Sequence, residues 1–174
     1  LFRVSTLTAA CIATSYAVGQ SGFTTFGMGF TSDFGGPQEH LFVAENNFAG
    51  DSAGLGRIDI ATMKLGVVGN FNPPIPRAEL TGTGDGRLFA FWPNRGTGLT
   101  GAHVAEVNKA TAEVVAITDL SIASSNDAFA FAFWGGDFWI FTGSQNVPTN
   151  VHRFRSADGT TTLMTTHPST IVGA

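Results

Sequence analysis

The sequence is poor in cysteine and in charge, and it has no long hydrophobic run. A single cysteine, Cys11, excludes an internal disulfide, and its small apolar neighbours favour a buried structural role. Charged residues make up 13% of the chain, about half the usual ~25%. Acidic residues (13) outnumber Lys and Arg (9), and the net charge of -4 argues against a nucleic-acid partner. The longest apolar runs, such as 128–134, fall far short of the ~20 residues of a membrane-spanning helix.

The residues that are abundant point to short strands joined by tight turns. Hydrophobic residues reach 43%, which is enough for a packed core, and the chain holds 22 glycines and 16 phenylalanines. A length of 174 residues fits one domain or part of a larger one. The only two lysines are Lys64 and Lys109, while Thr, Ser, Gly and Asn are frequent. This composition favours an extracellular or cell-envelope location.

Two kinds of segment recur along the chain at intervals of about 50 residues. The first kind predicts an outer hairpin, with a short strand, a polar turn and a return strand, and it is centred on Val4, Ile58, Val107 and Phe154. The second kind is an apolar strand, found at 41–44, 88–91 and 138–141. A Gly- and Asp-rich turn and another apolar strand precede each copy of the second kind. Each period therefore predicts four antiparallel strands.

A four-stranded antiparallel unit repeated every 40–50 residues is typical of a β-propeller blade. We expect an all-β, single partial propeller over 1–174, with about three to four four-stranded antiparallel blades. Its predicted parts are a closing hairpin of a preceding blade, three blades and the start of a further strand, at 1–16, 17–71, 72–120, 121–168 and 169–174. The segment 102–112 carries helix-forming Ala, Glu and Lys, but its place in the repeat predicts a strand.

The run Gly84-Asp85-Gly86-Arg87-Leu88-Phe89-Ala90-Phe91, followed by 104–108 and Thr111, resembles the broad propeller superfamily. That superfamily includes NHL-type, quinoprotein-like and lactonase-like proteins, and the chain resembles uncharacterised secreted bacterial propeller proteins more narrowly. The resemblance implies a ligand site where the inner strands meet the axis. In lactonase-like propellers that site holds a divalent metal, usually Ca²⁺, on Glu, Asn and Asp oxygens, which suit a hard cation.

Four residues are candidates for ligand binding. Asn126 and Asp127 precede an inner strand, and Glu79 lies in the matching strand of the blade before it. Together with Glu45-Asn46-Asn47, which follows a strand of the first blade, they could contribute to a metal-oxygen cluster. The alternative is that Asn126 and Asp127 cap a turn and Glu79 faces a polar channel. Trp92 begins a loop with the following Pro-Asn-Arg-Gly and is expected to be presented to a ligand.

The sequence contains no recognisable catalytic or metal-binding motif. The four histidines lack zinc-finger or His-Glu-x-x-His spacing, and His103 and His152 are expected at matching structural positions. No Gly-x-Ser-x-Gly elbow is present. We therefore predict no catalytic residues and no resident cofactor beyond the possible Ca²⁺.

These observations leave three functional hypotheses. The first is a non-catalytic binding or structural module of a secreted or envelope-associated bacterial protein, recognising a protein, glycan or small molecule. The second is a Ca²⁺-dependent lactonase-like hydrolase. The third is a scaffold element that self-associates through open blade edges. None of the three involves nucleic acid or a membrane span.

Overall fold

The computed structural model describes residues 1–33, 36–46, 52–94, 101–122, 128–144 and 146–173. Within these ranges the regular structure is fourteen β-strands and one short 3₁₀ turn at Gln20–Gly22. In chain order the strands are β1 (Phe2–Val4), β2 (Cys11–Ala13), β3 (Phe26–Ser32), β4 (Glu39–Glu45), β5 (Leu55–Asp59), β6 (Lys64–Gly69), β7 (Glu79–Gly82), β8 (Leu88–Pro93), β9 (Ala102–Val107), β10 (Val114–Leu120), β11 (Ala128–Trp134), β12 (Asp137–Gly143), β13 (Thr149–Arg155) and β14 (Thr160–His167). No helix in the described ranges has the length and apolar character needed to cross a membrane.

The strands form three four-stranded antiparallel sheets and one two-stranded hairpin. Strands β3–β6 make the first blade, β7–β10 the middle blade and β11–β14 the last blade, each in simple sequential order. Strands β1 and β2 form the terminal hairpin. The chain is thus all-β, with four-stranded antiparallel sheets of the predicted blade type. The segment at 102–107 is a strand, as the repeat predicted.

Local turn chemistry explains where the strands reverse. Between β7 and β8, the Thr83 N–H donates to Arg87 O at 2.9 Å, and Gly86 takes a φ of 83° that few other residues adopt. In the outer hairpins of the three blades, an Asp or Asn side chain accepts backbone N–H groups two or three residues ahead. Asp59 Oδ1 accepts from Ala61 at 2.8 Å, and these backbone donors lower the pKa of the Asp59 carboxyl.

The three blades share one strand register, which makes their positions directly comparable. The same cross-strand pair of large apolar residues occurs once in each blade: Leu41↔Ile58, Leu88↔Val107 and Phe138↔Phe154. The inner-strand partners of Leu41, Leu88 and Phe138 are Phe30, Gly82 and Phe133. Counting along each strand from these paired residues identifies, for every residue in the inner three strands of one blade, the equivalent residue in the other two blades.

The hydrophobic core lies between the blades, face against face. Alternate residues of β4 and β8 point to opposite neighbours, because successive side chains of a strand face opposite sides. Phe42 of the first blade packs with Leu88 and Trp92 of the middle blade, while Phe91 of the middle blade packs with Phe131 of the last. Phe91 and Phe131 stack at a ring separation of 5.5 Å. This burial of large aromatic area holds the blades together.

The inner strands β3 and β7 approach each other backbone to backbone, and glycines permit this. A Cβ built on Gly27 would lie 2.0 Å from Ala78 O, and one built on Gly82 would lie 2.0 Å from Phe30 O. Neither position has room for a side chain. We call this contact between β3 and β7 the inner seam.

Side chains from the middle blade also satisfy backbone groups of its neighbours. Phe133 N–H of the last blade donates to Thr81 Oγ1 at 3.0 Å. Lys109 Nζ donates to Ser32 O of the first blade at 2.6 Å. Inner strands have only one sheet neighbour, so such bonds satisfy backbone groups that the sheet leaves unpaired.

The terminal hairpin covers the first blade incompletely. Leu1 and Tyr16 pack against the core of the first blade, but Phe2 stays 66% exposed. An apolar cleft of about 270 Å³ lies between the hairpin and strands β3 and β4. Cys11, which the sequence suggested was buried, is exposed, as are the other two residues of β2.

Candidate functional site

Glu79 begins the inner strand of the middle blade, and its environment is unusual for a carboxylate. By register its equivalents are Gly27 in the first blade and Ala130 in the last. The side chain is partly buried, and this desolvation raises its pKa from an ordinary 4.5 to about 7. A hydrogen bond from Met28 N–H and the charge of Arg77 oppose the rise without cancelling it.

Glu79 thus reaches across the inner seam to the first blade, whereas Thr81, two residues on, reaches the last blade. The guanidinium of Arg77 lies 4.7 Å from the ring centroid of Phe129, which extends this polar arrangement towards β11. The bond to Met28 gives Glu79 a place at the junction of two inner strands. That place fits the channel-facing alternative and leaves one carboxylate oxygen less available to a metal.

The other predicted oxygen ligands either make contacts of their own away from Glu79 or fall outside the described residues. Asn47, Asn126 and Asp127 fall outside the described residues, so the proposed cluster with Glu79 stays a prediction. Glu45, at the end of β4, is buried, and its Oε2 accepts Ala53 N–H at 2.9 Å. The neighbouring Asn46 Oδ1 is buried without a hydrogen-bond partner. Across the described ranges, no three His, Cys, Asp or Glu side chains are grouped closely enough to hold a metal ion.

Trp92 does not begin a loop, contrary to the sequence-based expectation. It lies within β8, which continues to Pro93, and only 6% of the residue is exposed. One side of the indole belongs to the core between the first and middle blades. The ring also stacks on the imidazole of His103, with centroids 5.1 Å apart and planes 28° apart. Trp92 therefore supports His103 and is not itself presented to solvent.

His103 is held on both ring nitrogens. Its Nδ1 lies 2.8 Å from Asp119 Oδ1 across the β9–β10 pair, and its Nε2 lies 2.6 Å from Asn94 Oδ1 just beyond β8. The imidazole side chain is 22% exposed and the Asp119 side chain 86% exposed. These three side chains join the ends of three strands of the middle blade.

An open cavity of about 510 Å³ lies beside this network, and we call it the blade-end cavity. Its lining consists of Asn94, Gly101, Ala102, His103, Asp119, Leu120, Ser121 and Ile122. Of the eight lining residues that the structure describes, four carry polar side chains. The volume falls in the roughly 300–1,000 Å³ range of small-molecule sites.

The blade architecture itself does not require a histidine at this position. The register makes Gly54 the equivalent of His103 in the first blade and Asn150 the equivalent in the last. His152, which the sequence suggested was equivalent, pairs instead with Ile140 and corresponds to Ala105. It is buried, which lowers its pKa, and its Nδ1 has no partner.

Asn94, His103 and Asp119 were not predicted from the sequence to form a group. They are separated by 9 and 16 residues and meet only through strand pairing. When Val104 is aligned with Val151 in the repeat, Asn150 and not His152 stands opposite His103. This alignment was the sequence signal that could have identified His103 as a departure from the repeat.

Comparison with known proteins adds no assignment to these geometric findings. No protein-family model matches the chain, and no curated protein matches it. The fold thus defines the chain only by class, as an all-β chain whose four-stranded antiparallel sheets are of propeller-blade type.

Proposed function

We propose that the chain is a non-catalytic binding module of β-propeller type, and that it binds its ligand at the blade-end cavity. The observation that carries this proposal is the placement of His103. It occupies the repeat position that holds Gly54 in the first blade and Asn150 in the last, and it is fixed between two polar side chains beside an open cavity. Polar residues that a repeat does not need, placed at a cavity, are typical of recognition. The few charges and lysines suit a secreted or envelope-associated bacterial protein.

The geometry around His103 favours binding over catalysis. A general base must have a ring nitrogen within reach of the proton that it removes. Here both nitrogens already face Asp119 and Asn94 within hydrogen-bond distance. A ring held in this way can shape a binding surface, but it presents no nitrogen to a substrate.

A thermal-shift screen of a chemically mixed small-molecule library tests the proposal. Compounds that bind the folded protein raise its melting temperature. We expect hits that act on the wild type and fail on His103→Gln, while the exposed His167→Gln serves as the matched control. Hits that act equally on both variants, or no hits at all, would contradict binding at this cavity.

A Ca²⁺-dependent lactonase-like activity is the second candidate, supported by the buried Asn46 Oδ1, which has no hydrogen-bond partner. Under this hypothesis Ca²⁺ raises the melting temperature and the protein hydrolyses a simple lactone. Both effects should be lost in Glu79→Gln and kept in the exposed Glu39→Gln. An unchanged melting curve on Ca²⁺ titration would remove this candidate.

Self-association is the third candidate, supported by the exposed apolar residues of the terminal hairpin. Phe2, Val4 and Ile12 are each more than 60% exposed, and exposed apolar patches mark interaction surfaces. Light scattering coupled to size exclusion should then detect dimers or larger species that Phe2→Ser dissociates. A monomer at all accessible concentrations would exclude this role.

A further inference from the structure

The terminal hairpin and the last blade carry apolar surfaces that match each other in register. We propose that two copies of the chain associate head to tail, with the terminal hairpin of each copy packed on the last blade of the other. This inference does not depend on the blade-end cavity. It gives the self-association candidate its second surface and its stoichiometry.

The junctions between neighbouring blades join the same repeat positions each time. Val107 of the middle blade shares a core cluster with Leu55 of the first blade. Its equivalent, Phe154 of the last blade, shares a cluster with Val104 of the middle blade. Val104 is itself the register equivalent of Leu55. One side of every blade is therefore built to receive the next blade, and the other side is built to pack on the blade before it.

The terminal hairpin follows this rule on one side only. Val4 pairs with Cys11 as Val107 pairs with Val114, so Val4 is the equivalent of Val107 in the hairpin. Leu1 packs against the core of the first blade. Val4 is three residues further on, so its side chain points to the opposite side of the hairpin. There it is exposed, whereas Val107 is buried.

Phe2 enlarges the exposed side of the hairpin. It lies on the same side as Val4, two residues away. Its equivalents in the first and middle blades are the small residues Gly56 and Ala105. A large apolar ring thus stands exposed at a position where these two blades have almost no side chain. Exposed apolar patches of this kind mark interaction surfaces.

The last blade turns two aromatic side chains away from the middle blade. Phe138 and Ile140 of β12 belong to the core that the last blade shares with the middle blade. The alternate residues Trp139 and Phe141 therefore point to the opposite side. Val151 of β13 pairs with Phe141 and lies on the same side. We call Trp139, Phe141 and Val151 the last-blade face.

The register shows what this face is built to receive. Phe89 and Phe91 of the middle blade are the equivalents of Trp139 and Phe141, and both are buried against the last blade. Trp139 and Phe141 are only half-buried, and the described residues form no sheet after the last blade. By the rule of the other junctions, the last-blade face accepts a position of the Val107 type. Val4 is that position, and it is exposed.

A second copy of the chain supplies both surfaces at once. Two copies make two equivalent contacts, and neither a hairpin nor a last-blade face is left over. Head-to-tail contacts form a ring when the rotation closes and a filament when it does not. Each copy contributes three sheets and one hairpin, so two copies provide roughly eight blade positions, the upper end of the range of about 4–8 in known propellers. We therefore expect a closed dimer.

Light scattering coupled to size exclusion, on two complementary variants, tests this arrangement. Val4→Asp places a charge on the hairpin, and Trp139→Asp places one on the last-blade face. Arg153 lies directly opposite position 139 in the register and offsets the added charge within one copy. Leu163→Asp, at an exposed apolar position of the outer strand β14, is the matched control. Circular dichroism melts verify folding, and Trp139→Gln replaces Trp139→Asp if that variant is unfolded.

The wild type and Leu163→Asp should both form dimers. Val4→Asp and Trp139→Asp, each alone, should raise the dimer dissociation constant by about tenfold or more, because every contact then includes one damaged surface. An equimolar mixture of the two variants should regain dimers. In that mixture the intact hairpin of Trp139→Asp meets the intact last-blade face of Val4→Asp.

The other outcomes overturn the proposal. A mixture that stays monomeric contradicts the pairing of hairpin with last-blade face. A dimer that only one of the two substitutions dissociates shows that like surfaces meet, and species that keep growing with concentration show that the ring does not close. A wild-type monomer at all accessible concentrations contradicts any association. None of these results bears on ligand binding at the blade-end cavity, which the thermal-shift screen tests separately.

Discussion

Replacing Gly27 by alanine should destabilise the fold by far more than a single methyl group normally does. The new Cβ would lie 2.0 Å from Ala78 O and 2.8 Å from the Cα of Glu79, both in the backbone of the facing strand. Ordinary contacts begin near ~3.4 Å, so β3 and β7 must separate by more than about 1 Å. Backbone atoms cannot rotate away as a flexible side chain can, so the cost should fall near the upper end of the usual overpacking range, about 3 kcal/mol.

The effect is measurable in a thermal melt. For a chain of this size, 1 kcal/mol shifts the melting temperature by roughly 2–4 °C, so Gly27→Ala should melt roughly 6–12 °C below wild type. Gly66→Ala is the matched control, because Gly66 lies in the outer strand β6 with nothing within 4 Å of the added Cβ. Alanine restricts the unfolded chain there, so the control should be neutral or stabilised by up to about 1 kcal/mol.

A double variant tests whether the inner seam opens as one unit. Gly82→Ala produces a second clash across the same two strands, 2.0 Å from Phe30 O. Once one substitution has separated the strands, the second should cost less, so Gly27→Ala/Gly82→Ala should be less destabilising than the sum of its parts. A Gly27→Ala variant that melts together with Gly66→Ala would refute the close approach of β3 and β7.

Two further predictions concern polar groups at the blade junctions. Because the pKa of Glu79 is raised by folding, its carboxyl loses its proton near pH 4.5 in the unfolded chain and near pH 7 in the folded chain. About 3 kcal/mol of folding stability that is present below pH 4.5 should therefore be lost as the pH rises to 7. Glu79→Gln should flatten that dependence and raise stability at pH 8 in urea unfolding, and an unchanged pH profile would contradict the desolvated placement. Thr81→Val removes the acceptor of Phe133 N–H and should cost about 1 kcal/mol, together with faster hydrogen exchange at that amide. Thr162→Val, on the exposed outer strand β14, should leave both quantities unchanged.

The spacing of the sequence was sufficient to predict the blades. Strand periodicity and turn residues are local properties, so the repeat of about 50 residues located the inner apolar strands at 41–44, 88–91 and 138–141, and each lies within an observed strand. The Gly84-Asp85-Gly86 turn also forms as its composition predicts.

The environment of each candidate side chain depended on contacts between blades, which no local pattern contains. The Trp-Pro-Asn-Arg-Gly run has the composition of a turn, yet pairing of Pro93 with Ala102 extends β8 and buries Trp92. Glu79 has a conventional sequence context, and only the approach of Met28, 51 positions away, places its carboxylate in a desolvated junction. The sequence alone thus determined which segments become strands and how they repeat. Tertiary packing decided which polar groups lose their water and which residues meet, because burial depends on what lies across the seam.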